Sequence, residues 1–203
     1  MEVIAISNTA IPFPRLNKYA ISLSNRAEAL IQECRYSDAR YLIETALNIK
    51  AAIWGAEHPS IADTCNNIAG VYQAQGDYAK ALEYYQKNLA ICEKVLGVEH
   101  PNTGTTYNNI ASVYQAQGDY AKALEYFQKD LAICEKVLGV EHPSTGITYN
   151  NIAGVYRAQG EYEKADNYYK SALAVLQTQL GPKHPNTIYA QNQIEALRSQ
   201  GLL

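Results

Sequence analysis

Histidine spacing is the first pattern in this sequence that could support chemistry. Four histidines follow one another at intervals of 42 residues, and each precedes a proline: His58, His100, His142 and His184. Ligands of one metal ion must converge to about 2 Å from it. Helices in successive units of a chain pack roughly 8–10 Å or more apart, so histidines one unit apart cannot share an ion. The spacing instead predicts turn residues that hydrogen-bond a helix end, and no metal or other cofactor is expected.

The cysteines show no catalytic or disulfide pattern. Cys92 and Cys134 occupy equivalent positions, and neither they nor Cys34 and Cys65 lie in a CxxC motif. No histidine or aspartate recurs with them as an activating base, which predicts reduced, buried thiols. The phosphate-binding, dinucleotide-binding, zinc-protease and serine-hydrolase motifs are also absent from the sequence. We therefore expect no enzymatic activity and assign no catalytic residue.

Composition excludes other classes of function. The 203 residues include 17 basic and 20 acidic side chains, for a net charge of −3, without the clustered basic face that nucleic acid requires. No run reaches the 18 or more apolar residues of a membrane span. The opening stretch, residues 1–16, carries Glu2 and two prolines, unlike a signal peptide, and is predicted to be a short lead-in. The expected protein is cytoplasmic and binds neither nucleic acid nor membrane; the sequence does not fix its oligomeric state, although a monomer is favoured.

The chain is one motif repeated. Glycines that open a GxxHP sequence stand 42 residues apart, and residues 60–101 differ from 102–143 at only eight of 42 positions. A fixed period of this length is typical of a solenoid. The repeat units are about 18–59, 60–101, 102–143 and 144–185, followed by a capping helix over 186–198. They are expected to form a single array over residues 17–200.

Each unit has the pattern of two helices. In the repeat over residues 60–101, the apolar positions from Ile61 to Tyr72 recur every three or four residues. Gly76 is expected to end this helix, and Asp77 can cap the next one. Alanine recurs where the two helices should cross most closely, at Ala81, Ala123 and Ala165. The predicted fold class is all-α: a right-handed α-solenoid of antiparallel helix pairs with a C-terminal capping helix.

These residues resemble a known family. The order Ile68, Ala69, Tyr72, Gly76, Tyr78, Ala81 and Tyr85 is similar to the tetratricopeptide repeat pattern, and the 42-residue period with "NNIA" and "LGVEHPNT" resembles the kinesin light chain type. The resemblance covers roughly residues 17–200. It implies that the first helices line a concave groove, and that asparagines at Asn66, Asn108, Asn150 and Asn192 contact the backbone of an extended peptide.

Paired asparagines in the first helices are the most informative feature. On a helical wheel that starts from Ile68, the first asparagine of each pair falls opposite the apolar stripe and is expected to project into solvent. The second, as in Asn67, Asn109 and Asn151, falls on a flank and is expected to hydrogen-bond between units. The predicted peptide-binding groove comprises Asn66, Gly70, Gln73, Asn108, Ser112, Gln115, Asn150, Gly154, Arg157 and Asn192. A solvated polar face without a ligand is the alternative.

The sequence therefore predicts a scaffold for protein–protein interaction that binds an extended peptide segment of a partner. Each amide carries both a donor and an acceptor, which suits a peptide backbone. Arg157 is the one cation in the row that otherwise holds Gln73 and Gln115, which suggests a carboxylate near one end of the peptide. The alternative function is a regulatory or sensor repeat region of a larger signalling enzyme.

Overall fold

The computed structural model describes residues 13–202, and every regular element among them is helical, as the sequence predicts. Residues 1–12 and 203, which include most of the expected lead-in, lie outside the described part. The last residues of the expected lead-in, Phe13–Leu16, form the first turn of a helix. In chain order the helices are α1 Phe13–Gln32, α2 Tyr36–Trp54, α3 Pro59–Ala74, α4 Tyr78–Val95, α5 Pro101–Ala116, α6 Tyr120–Ile133, α7 Pro143–Ala158, α8 Tyr162–Leu180 and α9 Pro185–Ser199.

By its internal contacts the chain divides into two compact units, Met1–Tyr84 and Tyr85–Leu203, with the boundary inside α4. In the described part of the first unit, α2 packs on both α1 and α3. In the second unit each of α5 to α8 packs on the next helix along the chain. α6 continues into a five-residue π-helical turn, Cys134–Leu138. Among residues 13–202, no helix combines the length and apolar character needed to span a membrane.

Histidines form the N-caps of the first helices, which confirms their predicted role at helix ends. The Nδ1 atom of His142 accepts a hydrogen bond from the Ser144 backbone N–H at 3.1 Å, and Pro143 occupies the first helical position. The same bond recurs at the starts of α3, α5 and α9. The imidazole thus satisfies one of the backbone donors that a helix start leaves without a partner.

Glycines with positive φ end the helices, as expected. Gly118 has a φ of +80° between α5 and α6, a backbone conformation that costs glycine little. Asp119 then caps α6, since its Oδ1 atom accepts from the Lys122 N–H at 3.2 Å. Cys34 takes the glycine's place in the first repeat with a φ of +58°, and it is exposed. The expectation of a buried thiol is therefore wrong for Cys34, because it sits in a turn.

Small residues at the helix crossings hold the pairs together. Ala81, Ala123 and Ala165 are each fully buried, as predicted for close contacts. In the second unit, Ala123 lies in a cluster with Phe127 and Ile152. α7 and α8 approach so closely that a Cβ on Gly146 would lie 2.9 Å from the Leu176 Cγ atom. The core is therefore a set of interlocked helix contacts rather than one central layer.

Several tyrosines pack along the repeats, and the hydroxyls of some of them reach polar partners. The rings of Tyr114 and Tyr126 stack with centroids 5.7 Å apart. Tyr107 of α5 donates to the Glu93 carboxylate of α4 at 2.7 Å, and Tyr149 makes the equivalent bond to Glu135. Burial is the main cause that raises the pKa of Tyr107 to about 12, so this hydroxyl remains a donor at neutral pH. The tyrosines thus have structural roles, as the sequence indicated.

Candidate functional site

Two first helices of the second unit are joined by an amide pair. Asn151 of α7 donates through Nδ2 to the Oδ1 atom of Asn108 on α5 at 2.8 Å, and both residues are half-buried. Farther along the same helices, the amide of Gln115 lies over Gly154, with Nε2 3.4 Å from where a glycine Cβ would stand. The prediction that Asn151 hydrogen-bonds between repeats is confirmed.

Helix geometry explains which asparagine faces which neighbour. Asn108 and Gln115 are seven residues apart, two turns of helix, so they lie on one side of α5 and face the following first helix. Asn151 and Gly154 lie on the side of α7 that faces the preceding one. α7 therefore has two first helices as neighbours, α5 and α9, besides its second helix.

The expectation that the first asparagine of each pair projects into solvent is wrong in this unit. Asn150 is only 5% exposed, and its Nδ2 atom donates to the backbone carbonyl of Asn186 in α9 at 3.3 Å. Its Oδ1 atom is buried without a hydrogen-bond partner. Asn108 is half-buried and accepts from Asn151. A helical wheel identifies the apolar stripe that packs on the second helix, but it does not show contacts between successive first helices.

The remaining predicted groove residues have different degrees of exposure. In the first unit, Asn66, Gly70 and Gln73 lie on α3 and are each half-buried. In the second unit Ser112 is half-buried, and Asn192 on α9 is exposed. Whether any of these residues contacts a peptide stays a prediction.

Arg157 is a cation without an acidic partner among the described residues. It is exposed on α7 and donates through Nη1 to the Oε1 atom of Gln193 on α9 at 2.5 Å. Beside it lies a pocket of about 390 Å³. The pocket is lined by Gly154, Arg157, Ala158, Tyr162, Gln200 and Leu202. An arginine beside small and apolar residues can donate to a carboxylate, while those residues pack against the carbon atoms next to the carboxylate.

A buried tyrosine lies beneath this surface. The hydroxyl of Tyr169 would lie 3.8 Å from a Cβ on Gly154, and it makes no hydrogen bond in the structure. Burial raises the pKa of Tyr169, so the hydroxyl stays protonated. We name the surface formed by Asn108, Ser112, Gln115, Asn151, Gly154, Arg157 and Gln193 the amide surface.

Histidine, cysteine, aspartate and glutamate side chains can ligate metal ions, and the described residues contain all four types. No three histidine, cysteine, aspartate or glutamate side chains among them come together as metal ligands. Cys92 and Cys134 are buried, as predicted. Burial is the main cause that raises the pKa of Cys134 to about 12, so its thiol is not a nucleophile at neutral pH.

One polar residue of the core, Asp130, was missed by sequence reasoning. It lies in α6, is 4% exposed, and contacts Thr148 of α7. Beyond their first six positions, residues 60–101 and 102–143 differ at only three places. One of the three is the exchange of Asn88 for Asp130, which could have marked this position in the sequence.

Comparison with known proteins places this geometry in a family. The model of the tetratricopeptide repeat family matches residues 60–136, 104–178 and 144–201, which together span more than half of the chain. No curated protein matches the chain by sequence.

Solved structures agree with this assignment. A kinesin light chain-like protein of Podosopora anserina with nearly identical TPR-like repeats is 28% identical, with a TM-score of 0.75 over 92% of this chain and 88% of that one. BtubC (BKLC) of P. vanneervenii is 18% identical, with a TM-score of 0.65 over 96% and 85%. Aspartyl phosphate phosphatase F of Bacillus subtilis is 19% identical, with a TM-score of 0.70 over 92% and 51%. The last two share the fold alone. The chain belongs to the tetratricopeptide repeat family, and its repeats are similar to those of kinesin light chain-like proteins.

Proposed function

We propose that the chain is a protein-interaction scaffold that binds an extended segment of a partner protein on the amide surface. The observation that carries this proposal is the half-buried Asn108–Asn151 pair, whose mutual bond leaves one donor group and one acceptor of the two amides for a ligand. Membership of a repeat family whose fold generally serves protein interaction supports it.

The unused atoms of the amide pair match a peptide backbone. Each amide carries two N–H donors and a carbonyl acceptor. In the bond between them, Asn151 uses one N–H donor and Asn108 uses its carbonyl acceptor. The NH₂ group of Asn108 and the Oδ1 atom of Asn151 make no other hydrogen bond among the described residues. Ser112 and Gly154 are small, which lets a second chain approach the helices closely.

Magnitudes limit what the amides can supply. The first helices α5, α7 and α9 define two steps of roughly 8–10 Å each, which an extended strand rising about 3.3 Å per residue covers with five or six residues. Two amide hydrogen bonds contribute roughly 1–3 kcal/mol in total. Micromolar binding needs about 8 kcal/mol. Apolar contacts and the pocket beside Arg157 therefore have to supply most of the affinity.

The experiment that tests this proposal starts from a displayed library of random ten-residue peptides. Selection on the intact chain is expected to enrich related sequences, and one synthetic peptide from that set then serves as the probe in isothermal titration calorimetry. If no sequence family is enriched over immobilised serum albumin, the scaffold does not bind extended peptides and the proposal fails.

Asn108→Ala is expected to weaken binding of the enriched peptide about fivefold, the equivalent of one hydrogen bond of about 1 kcal/mol. It also removes the acceptor of Asn151, so the unfolding free energy should fall by roughly 0.5–1.5 kcal/mol. Asn108→Asp separates the two effects, because it keeps Oδ1 for Asn151 and replaces only the NH₂ donor. Calorimetry and thermal unfolding of both variants measure them.

Asn167→Ala is the matched control, since Asn167 is an exposed asparagine on α8. It should change neither affinity nor stability. Unaltered affinity in Asn108→Asp, measured at high salt to screen the added charge, would show that the peptide does not use this donor.

Arg157→Gln gives α7 the residue found at Gln73 and Gln115. Because a hydrogen bond to a charged group contributes roughly 1.5–3 kcal/mol, a peptide whose carboxylate reaches Arg157 should bind about 10- to 100-fold more weakly to this variant. Titration with the peptide as its free acid and as its C-terminal amide distinguishes a terminal carboxylate from an acidic side chain. Arg198→Gln, an exposed arginine of α9, is the control, and equal losses in both variants would assign the effect to net charge.

A further inference from the structure

Asp130 is a buried carboxyl group at the contact of three helices. It projects from α6 and is 4% exposed. Its Oδ2 atom lies 2.7 Å from the Thr148 hydroxyl of α7, and its Oδ1 atom lies 3.5 Å from the Cys134 sulfur. On α5, a Cβ at Gly104 would come within 2.8 Å of Oδ1. The carboxyl group is therefore buried and contacted from α5, α6 and α7.

The hydroxyl of Thr148 lies within hydrogen-bond distance of two acceptor oxygens but has only one proton to donate. Its Oγ1 atom lies 3.0 Å from the carbonyl oxygen of Ser144 as well as 2.7 Å from Asp130. A hydroxyl has a single proton, so Thr148 cannot donate to both oxygens at once. If Asp130 is a carboxylic acid, its O–H donates to Thr148, Thr148 donates to Ser144, and the Cys134 thiol donates to the other carboxyl oxygen. Only the protonated acid satisfies every contact.

The equivalent threonine of the first unit supports this proton count. Thr64 lies 2.9 Å from the Ser60 carbonyl oxygen, and Lys50 donates to its hydroxyl through Nζ at 2.8 Å. There the threonine accepts from a buried donor and passes its own proton to the carbonyl. Asp130 fits the same pattern only if it too acts as a donor.

Among residues 13–202, no charged group compensates an ionised Asp130. The groups that face it are the Thr148 hydroxyl from α7, the Cys134 thiol from its own helix, and Gly104 from α5. None of these carries a charge, and burial keeps the thiol neutral, since it raises the pKa of Cys134 to about 12. A buried carboxylate without a cation is strongly disfavoured. The neighbouring repeats carry neutral residues at this position, Asn88 and Ala172.

We propose that Asp130 is a proton-gated latch: as a carboxylic acid it donates to Thr148 and holds α6 to α7, and loss of its proton loosens this junction. Ionisation leaves a charge buried among a hydroxyl, a thiol and a glycine, and it takes the Thr148 proton from Ser144. The affected contact joins α6 to α7 and is packed by Gly104 of α5, and α5 and α7 also carry the Asn108–Asn151 pair.

The direction of the pH effect follows from linkage. Burial raises the pKa of Asp130, so the folded chain holds this proton more tightly than the unfolded chain. The stability that the latch contributes is complete below the ordinary aspartate pKa of about 3.9. It declines as the pH rises from that value, and it is lost above the pKa of Asp130 in the folded protein.

Carboxyl ¹³C NMR of aspartate-labelled chain between pH 3 and 9 tests the protonation state directly. The Asp130 signal, assigned by its loss in Asp130→Asn, should titrate above the ordinary aspartate range. Asp119 is the internal reference in the opposite direction, since its hydrogen bond with Lys122 is the main cause that lowers its pKa. Titration of Asp130 together with Asp119, or below it, would overturn the proposal.

Amide hydrogen exchange then tests the latch itself. Protection factors at the start of α7, corrected for intrinsic exchange, should fall about tenfold per pH unit above the ordinary aspartate range, the slope for one proton. They should level off at the Asp130 midpoint found by NMR. Asp130→Asn, whose amide still donates to Thr148, and Asp130→Ala, the residue of the next repeat, should both abolish this slope. The same slope in both variants would show that another group causes it.

Discussion

Replacement of Phe127 by alanine is expected to lower the unfolding free energy by roughly 3–5 kcal/mol. Phe127 is fully buried, and its ring packs with Ala111, Ala123 and Ile152 at the junction of two repeats. The substitution removes the whole ring from a contact that rigid helices on both sides cannot close. Urea denaturation followed by far-UV circular dichroism measures the loss.

Gln128→Ala is the matched control for this experiment, because Gln128 is the next residue of α6 and is exposed. A surface change of this kind should stay within about 0.5 kcal/mol. If Phe127→Ala were as mild as Gln128→Ala, the hydrophobic cluster between α5, α6 and α7 would not be the main core of this unit.

Ala123→Leu is expected to destabilise the chain by roughly 1–3 kcal/mol through overpacking. Ala123 is fully buried in the same cluster as Phe127, so three additional carbon atoms have to displace a helix or distort neighbouring side chains. The measurement is the same denaturation series, and the effect should have the same sign as that of Phe127→Ala although the volume changes in the opposite direction.

Lys122, the residue before Ala123, is exposed, but Lys122→Ala would be a poorer control for this experiment than Gln128→Ala. The Nζ atom of Lys122 pairs with Asp119 at 2.8 Å and lies 5.0 Å from the centre of the Tyr114 ring. Exposed ion pairs of this kind are worth roughly 0–1 kcal/mol, so the variant has a small cost of its own. If Ala123→Leu melted like Gln128→Ala, the crossing of α5 and α6 would be looser than the structure indicates.

Much of the fold could be predicted from the sequence, because its signals are local and repeat. Gly118 and Asp119 mark a turn by their own backbone and side-chain chemistry. His142 followed by Pro143 marks a helix start in the same way. Since each signal returns every 42 residues, errors at one position are corrected by the others.

The candidate site was harder to predict, because it depends on contacts between repeats. Asn108 and Asn150 are equivalent in sequence, yet Asn150 is 5% exposed and donates to the Asn186 carbonyl of α9, whereas Asn108 is half-buried and accepts from Asn151 of α7. A helical wheel contains one helix and cannot show this difference. Asp130 was overlooked for the same reason: an asparagine-to-aspartate exchange resembles surface variation until the packing of α5 and α7 around it is known.

The junction polar groups also give the repeats an order. Asp130 meets Thr148, whereas the equivalent contact one repeat later joins Ala172 to Ala190. If residues 102–143 and 144–185 were exchanged, the aspartate would face Ala190 and lose its hydroxyl partner, and Thr148 would lose its carboxyl. A buried polar group without a partner costs roughly 1–3 kcal/mol. Two repeats of similar sequence are therefore not interchangeable modules, and a gene rearrangement that exchanges them would yield a less stable protein.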